Sequence, residues 1–178
     1  MLQNLLTEQA GFRYPGSTLR MEPITDPVFG DLEFEAAWVR DDQMKCFGEV
    51  RPVLLLVEGN DAEESILDEQ RASYTYFRAH EERLLGEVVE ALFEYYCEIR
   101  PELVSQFGPS AGDLSPPLAS SSELPKVVKF NTLVFPIVLE EGEQRFGIMG
   151  SCTWDPEHGV GIKVTDGEIE IGGSDLLC

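Results

Sequence analysis

The segment that decides the fold lies near the C-terminus and runs Trp154-Asp155-Pro156-Glu157-His158-Gly159-Val160-Gly161-Ile162. Asp-Pro initiates a turn, because proline fixes φ and an aspartate side chain accepts hydrogen bonds from the backbone that follows it. Gly159 and Gly161 permit a positive φ or a close approach of two backbones. Apolar alternation resumes at Val160 and Ile162. The segment therefore predicts a β-hairpin whose loop carries two acids and an imidazole.

The loop of this hairpin carries side chains that metal sites and acid–base catalysts use, namely Asp155, Glu157 and His158. Three ligands so close together on one turn rarely converge on one ion, and His80 is the only other histidine in the chain. No nucleophile motif such as Gly-x-Ser-x-Gly and no phosphate-binding glycine motif accompanies them. We therefore predict a structural corner with no metal and no cofactor, in which Trp154 packs beneath the hairpin and Asp155 caps the turn. A metal-dependent or acid–base hydrolase centred on the three loop residues is the alternative.

Outward from the hairpin, several short runs have the alternation or apolar content that is typical of strands. Residues 32–39 are the clearest, because apolar side chains alternate there with a largely acidic outer face. Asp41-Asp42 predicts a turn after this strand, and Asp166-Gly167 predicts another before the last strand. The remaining predicted strands are 19–24, 45–47, 53–57, 127–134, 137–139, 145–153, 161–164 and 168–171.

One long amphipathic helix is predicted between the two groups of strands. Asn60-Asp61 followed by two glutamates is a helix-start signature, because acidic side chains favour the positive end of the helix dipole. From there to Ile99, apolar residues recur at helical spacing and form one broad face. Pro101 ends the predicted helix, because the residue before a proline disfavours the α region. We place any bend between Glu81, which falls on the apolar face, and Gly86.

The opposite face of this helix carries four glutamates at three- and four-residue steps: Glu87, Glu90, Glu94 and Glu98. Like charges four residues apart on a helix repel one another, at a cost of about 0.2–0.5 kcal/mol per pair. Such a row is more often a solvated face than a docking surface for a cationic partner. The net charge of −20, from 13 basic and 33 acidic residues, adds weight to the docking interpretation. A field of this sign repels nucleic acid and attracts a basic protein.

Length and composition predict a single domain that spans residues 1–178. No apolar run approaches the roughly 18 residues that a membrane span needs. The N-terminus lacks the basic start of a secretory signal. Four cysteines stand far apart without metal-binding spacing, which suits buried thiols in a reducing compartment. We therefore expect a cytoplasmic protein with no membrane partner.

Two segments fall outside the predicted sheet and helix. Residues 1–17 contain three leucines followed by Gly11, Pro15 and Gly16, a pattern that fits either a short helix or a loose tail. Residues 105–125 are rich in serine, proline and glycine and have almost no apolar periodicity, so we predict a long mobile loop there. Neither flank of this loop is complete alone, so the loop does not separate two domains.

Several motifs together resemble an uncharacterised bacterial domain family, over residues 26–172. The most specific is the Trp-Asp-x-Glu-His-Gly-x-Gly motif at 154–161, followed by a glycine-bounded strand at 167–172. Weaker matches are Phe-Gly-x-Leu at 29–32, Trp38, Gln70 at the helix start and Tyr95-Tyr96 towards the helix end. Domains of this kind occur among candidate immunity proteins of bacterial polymorphic-toxin systems. The resemblance therefore implies a binding protein, and it carries over no catalytic residues.

Together these observations predict an α+β domain in which a mostly antiparallel sheet of about six to eight strands packs against one long central helix. The predicted function is non-enzymatic: an acidic protein that neutralises a basic, nuclease-like toxin by charge-complementary docking. A hydrolase at the loop residues and a structural assembly subunit are the alternatives. Both a monomer and a homo-oligomer fit the sequence.

Overall fold

A computed structural model describes residues 22–59 and 65–177 of the chain. These residues form an eight-stranded sheet with a 40-residue helix packed against it. Six of the seven neighbouring strand pairs are antiparallel, and the central pair is parallel. The predicted α+β class, with a mostly antiparallel sheet and one long helix, is confirmed. The segment predicted as a tail or short helix, 1–17, and the predicted helix start Asn60-Asp61 lie outside the described residues.

The strands lie in the sheet in the same order as they occur along the chain. They are β1 (Ile24–Asp26), β2 (Gly30–Phe34), β3 (Trp38–Cys46), β4 (Glu49–Val57), β5 (Val128–Phe135), β6 (Arg145–Cys152), β7 (Val160–Thr165) and β8 (Glu168–Gly172). The long helix α1 (Asp68–Phe107) joins β4 to β5 and is followed by the short helix α2 (Ala111–Leu114). Short 3₁₀ helices lie at Gly108–Ser110, Ser121–Lys126 and Ser174–Leu177.

The parallel pair β4–β5 explains why the long helix stands in the middle of the chain. Parallel neighbours cannot be joined by a tight turn and need a crossover of a dozen or more residues. Helix α1 supplies this crossover, and its apolar face covers the sheet, with Phe77, Leu84, Val88 and Leu92 buried. The four strands on each side of the parallel pair therefore contribute to one core.

The N-terminus of α1 is fixed to the ends of both parallel strands by Gln70, which is 1% exposed. Its side-chain oxygen accepts a hydrogen bond from the backbone N–H of Leu67 at 3.0 Å. Its amide nitrogen donates to the carbonyl oxygens of Glu58 at 2.9 Å and Phe135 at 3.0 Å. Gln70 thus satisfies backbone groups at the point where β4 and β5 end, which explains a glutamine at the start of the helix.

Residues 32–39, predicted as a single strand, are interrupted by a tight turn. Ala36 has a φ of 72°, and the chain reverses so that Phe34 pairs with Trp38. The two rings lie edge to face, with their centroids 5.1 Å apart. The single-strand prediction is wrong because the apolar alternation continues across the turn, and periodicity alone carries no signal for the reversal.

The turn predicted at Asp41-Asp42 is wrong as well, because both residues lie within β3. The chain reverses at Phe47-Gly48 instead, so the predicted strand at 45–47 is the end of β3 and its turn. Both turn residues have a positive φ, 54° and 78°, as a two-residue type I′ hairpin requires. The turn predicted at Asp166-Gly167 is confirmed and has the same conformation, with φ values of 51° and 88°.

The predicted strand at 137–139 is not formed. After Phe135 the chain leaves the sheet, and the backbone N–H of Ile137 donates to the side-chain oxygen Oε2 of Glu58 at 2.8 Å. The Glu58 side chain, directly after β4, therefore accepts the hydrogen bond that a carbonyl group of a neighbouring strand would otherwise accept.

Helix α1 continues to Phe107. The prediction that it ends at Pro101 is therefore wrong. Pro101 is exposed, so the carbonyl group that loses an N–H partner can face water. Leu103 and Phe107 pack against the core, which offsets the cost of the proline. The bend lies at His80, whose φ is −125°, one residue before the interval predicted for it. The His80 ring nitrogen Nδ1 lies 2.9 Å from the carbonyl oxygen of Tyr76.

Residues 105–125 contain helical turns and side-chain contacts where a long mobile loop is predicted. The hydroxyl group of Tyr96 donates to the carbonyl oxygen of Pro116 at 2.6 Å. The hydroxyl group of Thr153 donates to the carbonyl oxygen of Leu114, also at 2.6 Å. Leu124 is fully buried. The segment differs from the predicted loop because side chains distant in sequence satisfy its backbone, which its own composition does not reveal.

Candidate protein-interaction surface

Residues 153–159 connect β6 to β7 and contain the acids and the imidazole of the predicted corner. The Asp155 oxygen Oδ1 accepts hydrogen bonds from the backbone N–H of His158 at 3.0 Å and from its ring Nδ1 at 3.0 Å. The carbonyl oxygen of Asp155 accepts another from the N–H of Gly159 at 2.8 Å. Burial opposes ionisation of Asp155, but the hydrogen bonds from His158 outweigh it and lower the pKa of the carboxyl group. Asp155 therefore closes the turn as an ionised cap.

Trp154 anchors this turn to the helix. Its side chain is buried, and its ring lies against that of Tyr96 in α1, with the centroids 5.1 Å apart. The Cys152 thiol, directly before the turn, lies 3.6 Å from the carbonyl oxygen of Asp155. The structure thus places Trp154 and Asp155 as the structural interpretation of the motif expects.

The two glycines of the motif are required by close backbone approaches. A Cβ atom at Gly159, where φ is +68°, would lie 2.4 Å from the carbonyl oxygen of Gly150. A Cβ atom at Gly161 would lie 2.4 Å from the carbonyl oxygen of Gly173. Both distances are shorter than any carbon–oxygen contact a side chain tolerates, so the Gly-x-Gly spacing reflects packing between β6, β7 and the chain after β8.

A groove of about 740 Å³ opens between this turn and the C-terminal half of α1. Its helical side is a row of half-buried apolar side chains spaced four residues apart: Tyr95, Ile99, Leu103 and Phe107. Its opposite side is the turn at 154–159 together with the backbone of Gly172 and Gly173. Because four-residue spacing keeps side chains on one helix face, the groove has a continuous apolar floor.

The carboxylates that line this groove are Glu102 from α1 and Asp155 and Glu157 from the turn. Among the described residues, no lysine or arginine lines it. The His158 side chain, 67% exposed, stands on the same rim. The structure therefore brings Asp155, Glu157 and His158 together at the edge of an apolar groove with an acidic rim.

The four glutamates predicted as a stripe, Glu87, Glu90, Glu94 and Glu98, are all exposed on α1. We call them the acidic stripe. Arg83 pairs with Glu87 at 2.9 Å, and the Ser121 hydroxyl donates to Glu90 at 2.6 Å. Over the parts of the chain that the structure describes, Glu94 and Glu98 form no ion pair. Within those parts, half of the acidic stripe is therefore without an ion-pair partner.

Glu102 extends the acidic stripe by one further turn and joins it to the groove. It is exposed, stands four residues after Glu98 and lines the groove. Sequence reasoning missed Glu102 because Pro101 was expected to end the helix. The four-residue spacing from Glu98 was the available signal.

The chain belongs to the family described as Domain of unknown function (DUF6985). The family model matches residues 28–178 and so includes the acidic stripe, the groove and the turn. No curated protein and no solved structure matches the chain significantly. The family description names no activity.

Within residues 22–59 and 65–177, no group of three or more His, Cys, Asp or Glu side chains is arranged to hold a metal ion. Burial raises the pKa of the Cys46 thiol to about 12 and that of the Cys152 thiol to about 11, which keeps both protonated at neutral pH. Within the same described residues, no helix combines the length and apolar character needed to cross a bilayer.

Proposed function

We propose that this protein is a non-enzymatic acidic binding protein that docks a basic protein on the acidic stripe of α1. The observation that carries the proposal is the row of exposed carboxylates from Glu87 to Glu102. At 1.5 Å per residue this row is about 22 Å long, the scale of one protein–protein contact. Arg83 lies one turn before this row and pairs with Glu87 at 2.9 Å.

Electrostatics supports a basic protein as the partner. The net charge of −20 produces a field that raises the rate of encounter with a cationic surface and suppresses encounters with other anions. Nucleic acid is disfavoured by the same field, because its binding depends on neutralising phosphates with lysine and arginine. A surface of aligned carboxylates instead presents the charge pattern that a nucleic-acid-binding enzyme expects from its substrate.

The resemblance to candidate immunity proteins makes a toxin the first partner to test. In this proposal the acidic stripe covers the cationic substrate-binding surface of a nuclease-like toxin and blocks it. No chemistry by this chain is needed, because occupancy of that surface is sufficient for neutralisation.

The decisive experiment mixes the purified protein with the product of the adjacent gene and measures the dissociation constant by calorimetry. The triple variant Glu90→Lys, Glu94→Lys, Glu98→Lys should weaken binding by about 100-fold, because three attractive contacts with cationic side chains of the partner become repulsive. The matched control reverses three exposed glutamates elsewhere, Glu33→Lys, Glu140→Lys and Glu141→Lys. Equal losses in the two triple variants would show that net charge, and not the acidic stripe, determines affinity.

An acid–base hydrolase is the second candidate, because Asp155 orients the His158 imidazole at 3.0 Å beside a groove. This pair has the geometry of a base and its orienting acid. The test is turnover of ester, phosphoester and peptide substrates by the wild type and by His158→Gln. Turnover that disappears in the variant would favour the enzyme over the binding protein. A structural assembly subunit would instead form a stable homo-oligomer without the basic partner, which light scattering measures.

A further inference from the structure

We infer that the groove between α1 and the turn at 154–159 binds a peptide segment in which arginine or lysine alternates with apolar side chains. The inference deepens the proposed function and rests on it, because the segment would belong to the same basic partner. It assigns a second contact, chemically different from the acidic stripe, to the opposite end of one continuous surface.

The apolar floor of the groove favours a ligand with apolar side chains. Tyr95, Ile99, Leu103 and Phe107 are only partly buried by the protein's own core, although they lie on one helix face. Covering the remaining apolar surface is favourable by about 25 cal/mol per Å². The volume of about 740 Å³ falls within the range of roughly 300–1,000 Å³ that is typical of ligand sites.

The acidic rim of the groove favours a ligand with positively charged side chains. Glu102 stands on the helical side, and Asp155 and Glu157 stand on the side of the turn, so a bound segment has carboxylates along both edges. Asp155 remains ionised at neutral pH, because hydrogen bonds from His158 lower its pKa against the effect of burial. An anionic or purely apolar ligand would not neutralise Glu102 and Glu157, whereas an arginine fork can bind a carboxylate in a bidentate manner.

The side of the groove opposite the apolar row of α1 includes Gly159, Gly172 and Gly173. An extended segment suits a groove with an apolar floor and an acidic rim, because alternate side chains of an extended chain point to opposite sides. Apolar side chains then reach the helical floor while the cationic ones reach the rim.

The test uses fluorescein-labelled eight-residue peptides and fluorescence anisotropy with the full-length protein. A peptide of alternating arginine and leucine should bind about 10-fold more tightly than one of alternating arginine and serine, which has the same charge without apolar side chains. A peptide of alternating glutamate and leucine should not bind. Equal affinity for the two arginine peptides would overturn the inference, because it would show that apolar side chains do not contribute to binding in the groove.

Two matched double variants locate the site. Glu102→Lys with Glu157→Lys should weaken binding of the arginine–leucine peptide by about 10-fold or more, because both edges of the groove change sign. Glu87→Lys with Glu90→Lys, at the far end of the acidic stripe, makes the same change in net charge and should alter it less than threefold. Thermal unfolding followed by circular dichroism checks that both variants keep the fold. Equal losses in the two variants would overturn the inference.

The same variants separate this inference from the proposed function. If reversal of the acidic stripe abolishes binding of the basic partner while the groove variant binds it normally, the function stands and the groove inference fails. If the product of the adjacent gene does not bind the wild-type protein at all, the proposed function fails for that partner, and the peptide comparison still decides whether the groove selects basic, apolar segments.

Discussion

The turn at 154–159 and the acidic stripe of α1 both concentrate acidic residues, and the protein uses them in opposite ways. In the turn, Asp155 accepts hydrogen bonds from its neighbours and holds the chain in place. On α1, Glu94 and Glu98 have no ion-pair partner within the described residues and repel one another. Acidic residues with internal partners therefore support the fold, whereas unpartnered carboxylates at the surface are available to another molecule. Substitutions in the two regions should therefore differ in both size and sign.

The largest expected effect is that of Trp154→Ala. Removing a buried indole that packs on Tyr96 should lower the free energy of unfolding by about 3–5 kcal/mol. Urea denaturation measures the change, with Leu139→Ala as the control because Leu139 is 89% exposed and should change stability by no more than about 0.5 kcal/mol. A loss below about 1 kcal/mol for Trp154→Ala would mean that the turn is not anchored by its tryptophan.

Gly161→Ala comes next. The added Cβ would lie 2.4 Å from the carbonyl oxygen of Gly173, so backbone must move, at a cost of about 1–3 kcal/mol. The matched control is Gly86→Ala in α1, where the added Cβ has no neighbour within 4 Å and should stabilise the helix by about 0.5–1 kcal/mol. Opposite shifts in melting temperature for the two variants are the expected outcome, and destabilisation of similar size by both would contradict it.

Asp155→Ala should lower stability at pH 7 by about 0.5–2 kcal/mol, the usual cost of removing a capping side chain. Folding lowers the pKa of Asp155, so its ionised form stabilises the native state above the unfolded value. That contribution is lost as the pH falls from the unfolded value of 3.8 through the folded one. The gap between wild type and variant should therefore be full at pH 5 and shrink below pH 3.8, as urea titrations at several pH values would show. A gap that widens on acidification would contradict this role.

The smallest effect is expected on the acidic stripe, and it has the opposite sign. Glu94→Gln removes like-charge repulsion with Glu90 and Glu98, each four residues away, and should stabilise the fold by about 0.2–0.5 kcal/mol per pair. The gain should disappear in 1 M salt, where charges at the surface are screened. A loss of stability at low salt would show that Glu94 has a structural partner, and would weaken the case for a docking surface.

The sequence predicted the fold class, the long helix and the C-terminal hairpin, because each depends on local periodicity and turn chemistry. The turn between Phe34 and Trp38 was missed because apolar alternation runs through it. The helix end was missed because contacts of Leu103 and Phe107 with the core outweigh the local effect of Pro101.

At the candidate surface, the individual residues could be predicted and their arrangement could not. The acidic stripe follows from helical spacing, and the capping role of Asp155 follows from turn chemistry. The groove depends on how far α1 continues and on where Trp154 meets Tyr96, and both are set by tertiary packing. For the same reason, the anchoring of residues 105–125 by Tyr96 and Thr153 left no trace in the composition of that segment.

The strands lie in the sheet in the same order as in the chain, and this order affects how the protein folds. Every antiparallel pair is joined by a connection of at most nine residues, whereas Leu54 and Thr132 of the parallel pair are 78 positions apart. Closing a loop of that size carries a larger entropic penalty than forming a hairpin, and folding slows as contacts become less local. We expect the two four-stranded halves to gain structure first and their union across β4–β5, under α1, to be the slow step. Gln70 donates hydrogen bonds to the ends of both strands and would then stabilise the completed sheet.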